Sequence, residues 1–391
     1  MQSHAPNPLL IPVLSLGNFV IGMGAFVIVG ILEPLGADMN RSAAQAGQLL
    51  TVYALSYAVL SPLMVALTGQ VGRRRVLAIA LTLFALAAAL SALASDVWLL
   101  NVGRVLAAAG AGIFTPVAAA VAAALYPEAQ RARVLSSVFF GLTLAQVLGV
   151  PVGSWIAYSF GWRWAFWLVL ILALPCIVLI WTRVPAGLRF QPVSLRDLGV
   201  VLRQGHLMLA TLFTGSFLGA IYVLYTYIAP LLSTTMGYGR DGVTFALLMF
   251  GLGAVGGNLL GGVLADRFGW KPTLIALCLG QTALMPLFSL LPLADALLAA
   301  LAFFWSLIGW AFISGQQMRL IGLAGPQAPV VLALNAAAIY VGAAAGSALG
   351  GVVIAIWGVG ALGVAAGVCA AFALAHLTLS ARLSARYQAA S

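Results

Sequence analysis

An all-α membrane protein, with 12 transmembrane helices in two pseudo-symmetric six-helix halves, is the fold class that this sequence predicts. Three observations carry it: too little charge for a soluble chain, basic residues confined to alternate gaps between apolar runs, and glycines that repeat half-way along. Of 391 residues, 63% are hydrophobic and 7% charged, against roughly 25% charged in a soluble domain. Twelve spans of about 21 residues would occupy about 250 positions, near two-thirds of such a chain. This composition excludes a cytosolic enzyme, a secreted disulfide scaffold and a disordered regulator. The formal charge of +10 falls in short gaps between apolar runs, so it reads as a membrane rim and not as a nucleic-acid surface. Cys176, Cys278 and Cys369 lie far apart inside apolar runs, without metal-site spacing, and read as small core residues. No metal or cofactor is expected.

The runs follow in order. The first, 9–35, comes after a tail with no Lys or Arg and exceeds a signal peptide's core, so it reads as a retained span. It carries Asn18, Phe26 and Glu33. The second, 45–68, carries Tyr53 and Tyr57; the third is 76–95; the fourth, 97–125, is long enough to tilt and holds Arg104. The fifth, 134–157, contains Gln146, and the sixth is 164–182. A polar connector at 184–205 then separates a first half, 1–183, from a second, 206–391. Its spans are 206–232 with Tyr222 and Tyr225, 242–265 with Asn258, 272–291, 296–318 with Trp305, Trp310, Gln316 and Gln317, 330–356 with Asn335 and Tyr340, and 360–380. No connector is long enough for a soluble domain.

Orientation follows from the basic residues. With the amino terminus cytoplasmic, the inner loops and ends hold Arg73, Arg74, Arg75, Arg131, Arg133, Arg183, Arg189, Arg196, Arg203, Arg267, Lys271, Arg319, Arg382 and Arg386. The outer loops hold only Arg41, Arg163 and Arg240. Fourteen against three, with Arg104 set aside, places both termini inside.

A shift of 197 residues lays Gly72 on Gly269, Gly149 on Gly346, Gly153 on Gly350 and Gly161 on Gly358, joining equivalent positions of the two halves. A six-plus-six duplication is a transporter architecture, with its substrate site near mid-membrane between the halves.

The motifs then resemble a known family. Gly262-Val-Leu-Ala-Asp266-Arg267-Phe-Gly269-Trp-Lys271 is similar to the loop signature of the major facilitator superfamily, and Gly149-Val-Pro151-Val-Gly153 resembles the helix-5 motif of its exporters. Gly161-Trp162-Arg163-Trp164-Ala-Phe166-Trp167, and Gln316-Gln317-Met-Arg319 leading on to Asn335 and Tyr340, also look like its twelve-helix drug and metabolite efflux branch, which includes arabinose and purine exporters and drug/proton antiporters. The resemblance covers nearly the whole chain. It implies a monomer in the bacterial cytoplasmic (inner) membrane that exports a small, moderately amphipathic molecule, a drug or a sugar- or nucleoside-like metabolite, by alternating access with proton antiport. It also implies a conformational latch at Asp266, Arg267, Gly269, Gly72 and Arg73. The chain departs from the pattern in places. Gly69 stands where the family has Asp, Val65 where it has Gly, and Ala25 where relatives often carry an acid. Arg104 resembles the family's helix-4 arginine, but Ala107 and Ala108 replace the glutamine and glycine that usually follow.

Physical readings run alongside. Glycines four apart permit close helix approach, and Pro151 removes a backbone donor and bends its helix. Asp266 can pair with a basic side chain or with helix-terminal amides. Of the eight acids, Asp38, Asp96, Asp241 and Asp295 fall in outer loops, and Glu128, Asp197 and Asp266 in inner ones. Glu33, near an outer helix end, remains as a proton-coupling candidate, with Arg104 beside it. Among the histidines, His4 is in the tail, and His206 and His376 sit toward inner helix ends. Asn18, Phe26, Tyr53, Gln146, Tyr222, Tyr225, Asn258, Trp310, Gln316, Gln317, Asn335 and Tyr340 are the substrate-cavity candidates; such a set suits a neutral or anionic ligand, an anion being met by Arg104. An uncoupled or inward-directed carrier, and more remotely a membrane-embedded receptor or enzyme, stay open.

Overall fold

The structure, a computed structural model, describes residues 8–188 and 195–390. His4 and Arg189, and the side chains of Glu128, Arg196, Asp197 and Arg386, lie outside the described residues. The described residues are helical and contain no strand. Twelve helices long and apolar enough to cross a membrane follow the order of the twelve predicted runs.

In the first half these are α1 (Leu10–Asp38), α2 (Ala43–Leu67), α3 (Arg73–Ala92), α4 (Val97–Leu125), α5, built from Glu128–Leu144, Ala145–Gly149 and Val150–Phe160, and α6 (Trp162–Arg183). A short helix, Leu195–Leu202, lies in the connector. In the second half α7 comprises Gly205–Tyr225 and Ile228–Met236, and α8 is Arg240–Phe268. Next come α9, with Trp270–Leu284 continued by Met285–Leu290, and α10, with Asp295–Trp310 and Phe312–Ala324. Ala328–Trp357 is α11 and Leu362–Ala390 is α12.

Local chemistry fixes the helix ends. Ser42 and Gln45 exchange side-chain and backbone hydrogen bonds at the start of α2, a reciprocal cap. Asp96 accepts from the Leu99 amide at 2.9 Å and starts α4. Gly161, Gly269 and Gly358 turn the corners before α6, α9 and α12 with φ of 99°, 80° and 81°, a region that only glycine enters without strain.

Interruptions have equally local causes. Pro151 has no amide to give, and the turn before it widens to a π-helix over Ala145–Gly149. Pro230 likewise cannot close the ladder across the break in α7, where the Thr226 hydroxyl caps the Tyr222 carbonyl at 2.7 Å.

The 197-residue repeat is visible as packing. Added Cβ atoms on Gly149 and Gly153 would run into Met23 and Val27 of α1; on Gly346 and Gly350 they would run into the Gly219 and Val223 carbonyls of α7. The fifth helix of each half therefore lies close against the first at its glycines, on side chains in the first half and on backbone in the second. Gly161 and Gly358 also match, as positive-φ corners. Gly72 does not match Gly269 in backbone: its φ is −57° against 80°, although an added Cβ meets nothing within 4 Å at either.

Two placements differ from the sequence reading. Arg319 is not in a loop, because α10 continues to Ala324 and holds it 1% exposed. His376 is not at a helix end, because α12 runs to Ala390 and puts it mid-helix. In both cases the helix continues past the polar residue that suggested its end.

Candidate functional site: the seam between the halves

The halves meet mainly along two helix pairs, α2 with α11 and α5 with α8, with α1 also touching α7. At mid-helix the seam is aromatic. Tyr57 stacks on Tyr340 with ring centroids 3.6 Å apart, and Tyr53 lies 6.3 Å from each. Phe26 of α1 faces Tyr222 of α7 at 6.4 Å. From Tyr222 the aromatic contacts continue to Tyr225, Phe250 and Trp305 in the second half. Half of the chain's ten tyrosines, Tyr53, Tyr57, Tyr222, Tyr225 and Tyr340, belong to this layer. The close approach of α5 to α8 completes it, with Gly251 against the Val147 and Gln146 backbone at 2.6–2.8 Å from an added Cβ.

Beyond this layer, away from the arginine-rich loops, the seam is tied. Ser347 donates to the Gly47 carbonyl at 3.0 Å, the Tyr227 hydroxyl donates to the Ser347 carbonyl at 2.8 Å, and the Tyr227 ring packs on Gly47. Arg240 reaches across to Ser159 at 3.4 Å and lies 5.6 Å over Trp155. On the arginine-rich side of Tyr57–Tyr340 and of Gln146–Gly251, no hydrogen bond or ring contact joins these helix pairs among the described residues. The seam is closed at one end and untied at the other.

Hydrogen bonds in a membrane interior contribute on the order of 0.6 kcal/mol each, and an aromatic pair about 0.5–1.5 kcal/mol. A closure built from a few of these is weak enough to open reversibly.

Behind the seam sit buried cations. Arg104 is 2% exposed; it donates to the Gly24 carbonyl of α1 at 2.9 Å and lies between the faces of Phe166 (4.9 Å) and Tyr53 (5.9 Å). It does not reach to the membrane surface. Glu33 is half-buried and accepts from the Tyr158 hydroxyl at 2.6 Å, within the first half. Asp38 takes Arg163 at 2.6 Å and the Trp162 indole at 3.0 Å, and so pins α1 to α6 at the closed end.

Other candidates are used elsewhere. Asn18 bonds the Val138 carbonyl and Thr115, inside the first half. Gln316 donates to the Ala210 carbonyl at 2.8 Å and to Thr214 at 3.0 Å, and Thr214 donates to Asn335, tying α10, α7 and α11 together. Gln317 is exposed, and Asn258 and Trp310 are half-buried. The Tyr53 hydroxyl, Arg104 Nε, Gln146 Oε1 and Trp310 Nε1 are buried without a partner. Buried polar atoms are normally satisfied, so these are places where water or a ligand is wanted.

At the positions expected to form a latch, Asp266 and Arg267 are exposed and, among the described residues, make no ion pair or side-chain hydrogen bond; Arg267 lies 5.4 Å over Phe268. Arg73 is buried, and its amide donates to the Leu188 carbonyl at 3.0 Å. Sequence reasoning missed Thr214, Phe250, Ser347 and the buried state of Arg319. Gln316 and Arg319 are three residues apart on one helical face, and that spacing was the available signal.

Comparison with known proteins agrees with this architecture. The family model described as Major Facilitator Superfamily matches residues 14–328. Two Bacillus subtilis (strain 168) proteins are similar along most of their length. The uncharacterized MFS-type transporter YbcL is 28% identical over 364 residues, covering 92% of this chain and 93% of that one. The uncharacterized MFS-type transporter YtbD is 30% identical over 345 residues, covering 87% of each. Among solved structures, a bacterial homolog to the human lysosomal transporter Spinster, inward-facing and unoccupied, superposes with TM-score 0.73 at 18% identity over 96% of this chain and 97% of its own. A D-xylose-proton symporter gives TM-score 0.69 at 21% identity over 92% and 95%. A twelve-helix duplication whose halves meet at an aromatic seam, matched over most of its length by that family model, identifies this chain as a membrane transporter of the Major Facilitator Superfamily.

Proposed function

We propose that the protein is an exporter of the bacterial cytoplasmic membrane, moving small, moderately amphipathic molecules outward by alternating access between residues 1–183 and 206–391, with proton antiport. The observation that carries this reading is the seam: tied at one end, untied at the arginine-rich end, with partnerless polar atoms at the layer between. By the positive-inside asymmetry the untied end is cytoplasmic, and the state described is inward-facing. The helix-5 motif supports the outward direction: Gly149 and Gly153 clamp α5 to α1, while the π-turn beside them carries the contact with Gly251 of α8.

The binding layer is phenols backed by a guanidinium, with no carboxylate among the described residues at that level. It suits a neutral or anionic ligand with an aromatic or sugar-like face, met by stacking on Tyr57, Tyr340 and Phe26 and by hydrogen bonds to Tyr53 and Gln146. Asp266 and Arg267 form the latch in the opposite, outward-facing state, which accounts for their exposure here.

The test is a drug-susceptibility and metabolite-export screen of an overexpressing strain, followed by flux of each hit in proteoliposomes with and without an imposed pH gradient. Outward movement of a neutral or anionic compound that responds to the gradient is the expected result. Equal flux with and without the gradient overturns antiport, and net uptake overturns export.

A further inference from the structure

A second polar centre lies in the half that carries no coupling candidate. His376 of α12 has both ring nitrogens engaged by α7: Nε2 is 2.9 Å from the Leu209 carbonyl and Nδ1 is 2.7 Å from the Ser216 hydroxyl. A carbonyl can only accept, so Nε2 carries the hydrogen, and Nδ1 accepts from Ser216. Four residues along the same face of α12, Ser380 accepts from Arg319 of α10 at 2.6 Å. Arg319 is 1% exposed between Phe213 and Trp270, its Nε and Nη1 have no partner, and no carboxylate accompanies it among the described residues.

We propose that His376 is a proton-binding site of the second half, and that its occupancy sets how tightly α10 is held to α7 and α12. The hydrogen bonds close in both states. The incoming proton takes the Nδ1 lone pair, and Nε2–H stays on the Leu209 carbonyl. Ser216 turns its hydrogen from Nδ1 to the Leu212 carbonyl, 3.4 Å away, and accepts the new Nδ1–H. No bond other than this proton's is made or broken. The imidazolium then stands one helical turn from the residue that anchors Arg319, and two cations repel across a low-dielectric contact. Arg319 and Gln316 are both ties of α10, so loosening one leaves α10 on the other.

Open space lies on the Leu209 side of His376. A cavity of about 410 Å³ opens at the arginine-rich end between α7 and α12, and Leu209, whose carbonyl receives His376, lines it together with His206 and Tyr387. Other charge is remote or exposed: Arg203 and Arg382 are exposed, α11 has no charged residue, α9 has only Lys271, exposed at its start, and the side chain of Arg386 lies outside the described residues.

The proposal rests on alternating access but on neither export nor substrate. It is tested on the full-length protein in lipid nanodiscs, with native cysteines replaced and spin labels at Ile321 of α10 and Leu379 of α12. The distance distribution should change between pH 8 and pH 5.5, should stay constant with His376→Gln, and should keep its transition with Glu33→Gln. Arg319→Gln should move the midpoint to higher pH by about one unit. An unchanged transition in His376→Gln, or its loss in Glu33→Gln, overturns the proposal. So does a second readout, with His376 itself intact: with His4→Gln and His206→Gln leaving one imidazole, a 15N ring signal that stays in the neutral Nε2–H form from pH 9 to pH 5.

Discussion

Arg104 is held by one hydrogen bond to the α1 backbone and by two aromatic faces, with no acid among the described residues to neutralise it. A guanidinium at a helix centre costs about 2.5–3.5 kcal/mol on insertion scales, and we propose that Arg104 serves transport and not stability. Arg104→Leu should therefore leave the melting temperature in detergent unchanged or higher while transport is lost; a large drop in melting temperature would instead make it a structural residue. At the seam, Tyr340→Phe keeps the stack on Tyr57 and should retain most transport, whereas Tyr340→Ala removes the platform and should raise the substrate KM at least tenfold. At this scale the sequence was partly legible. Arg104 stood out because charge inside an apolar run is rare, and the seam tyrosines because they interrupt such runs. Asn18, Gln316 and Asn335 stood out for the same reason, yet their amides satisfy neighbouring helices. Polarity marks a residue as needing a partner, and only packing says which.

Helix contacts at glycine are the unit at the next scale. Gly153 and Gly350 occupy equivalent crossings, each with an added Cβ running into the facing first helix of its half. Gly153→Leu and Gly350→Leu should each destabilise by about 1–3 kcal/mol through overpacking, seen as lowered melting temperatures of similar size. Gly269 and Gly72 should part company. Gly269→Ala forces a side chain into φ 80°, ψ 164°, at about 1–3 kcal/mol, while Gly72→Ala should be neutral, its φ ordinary and its Cβ in open space. The spans were legible because apolar length is a strong signal, and the repeat because glycine is required where helices touch. The breaks in α7 and α10 were not, since a broken helix keeps its apolar character across the turn. Arg319 and His376 were misplaced for the converse reason: a polar residue near a span's end reads as a loop or a helix end, although its helix continues past it.

For the whole molecule, the proposed transport cycle is a rocking of the two halves about the aromatic layer. The closed end is held by contacts between α2 and α11, and one pair of positions there can be bridged: a Cβ on Gly351 would lie 3.8 Å from that of Ala44, inside the range that a disulfide spans. The most direct measurement joins these positions with Ala44→Cys and Gly351→Cys in a background without native cysteines, and follows a probe thiol at the layer, Tyr340→Cys, by labelling with a membrane-impermeant maleimide in right-side-out and inside-out vesicles. The reduced protein should label from both sides. The oxidised protein should label only from the arginine-rich end, and reductant should restore the other. Labelling from the closed end while the bridge is intact would contradict the rocking of the halves.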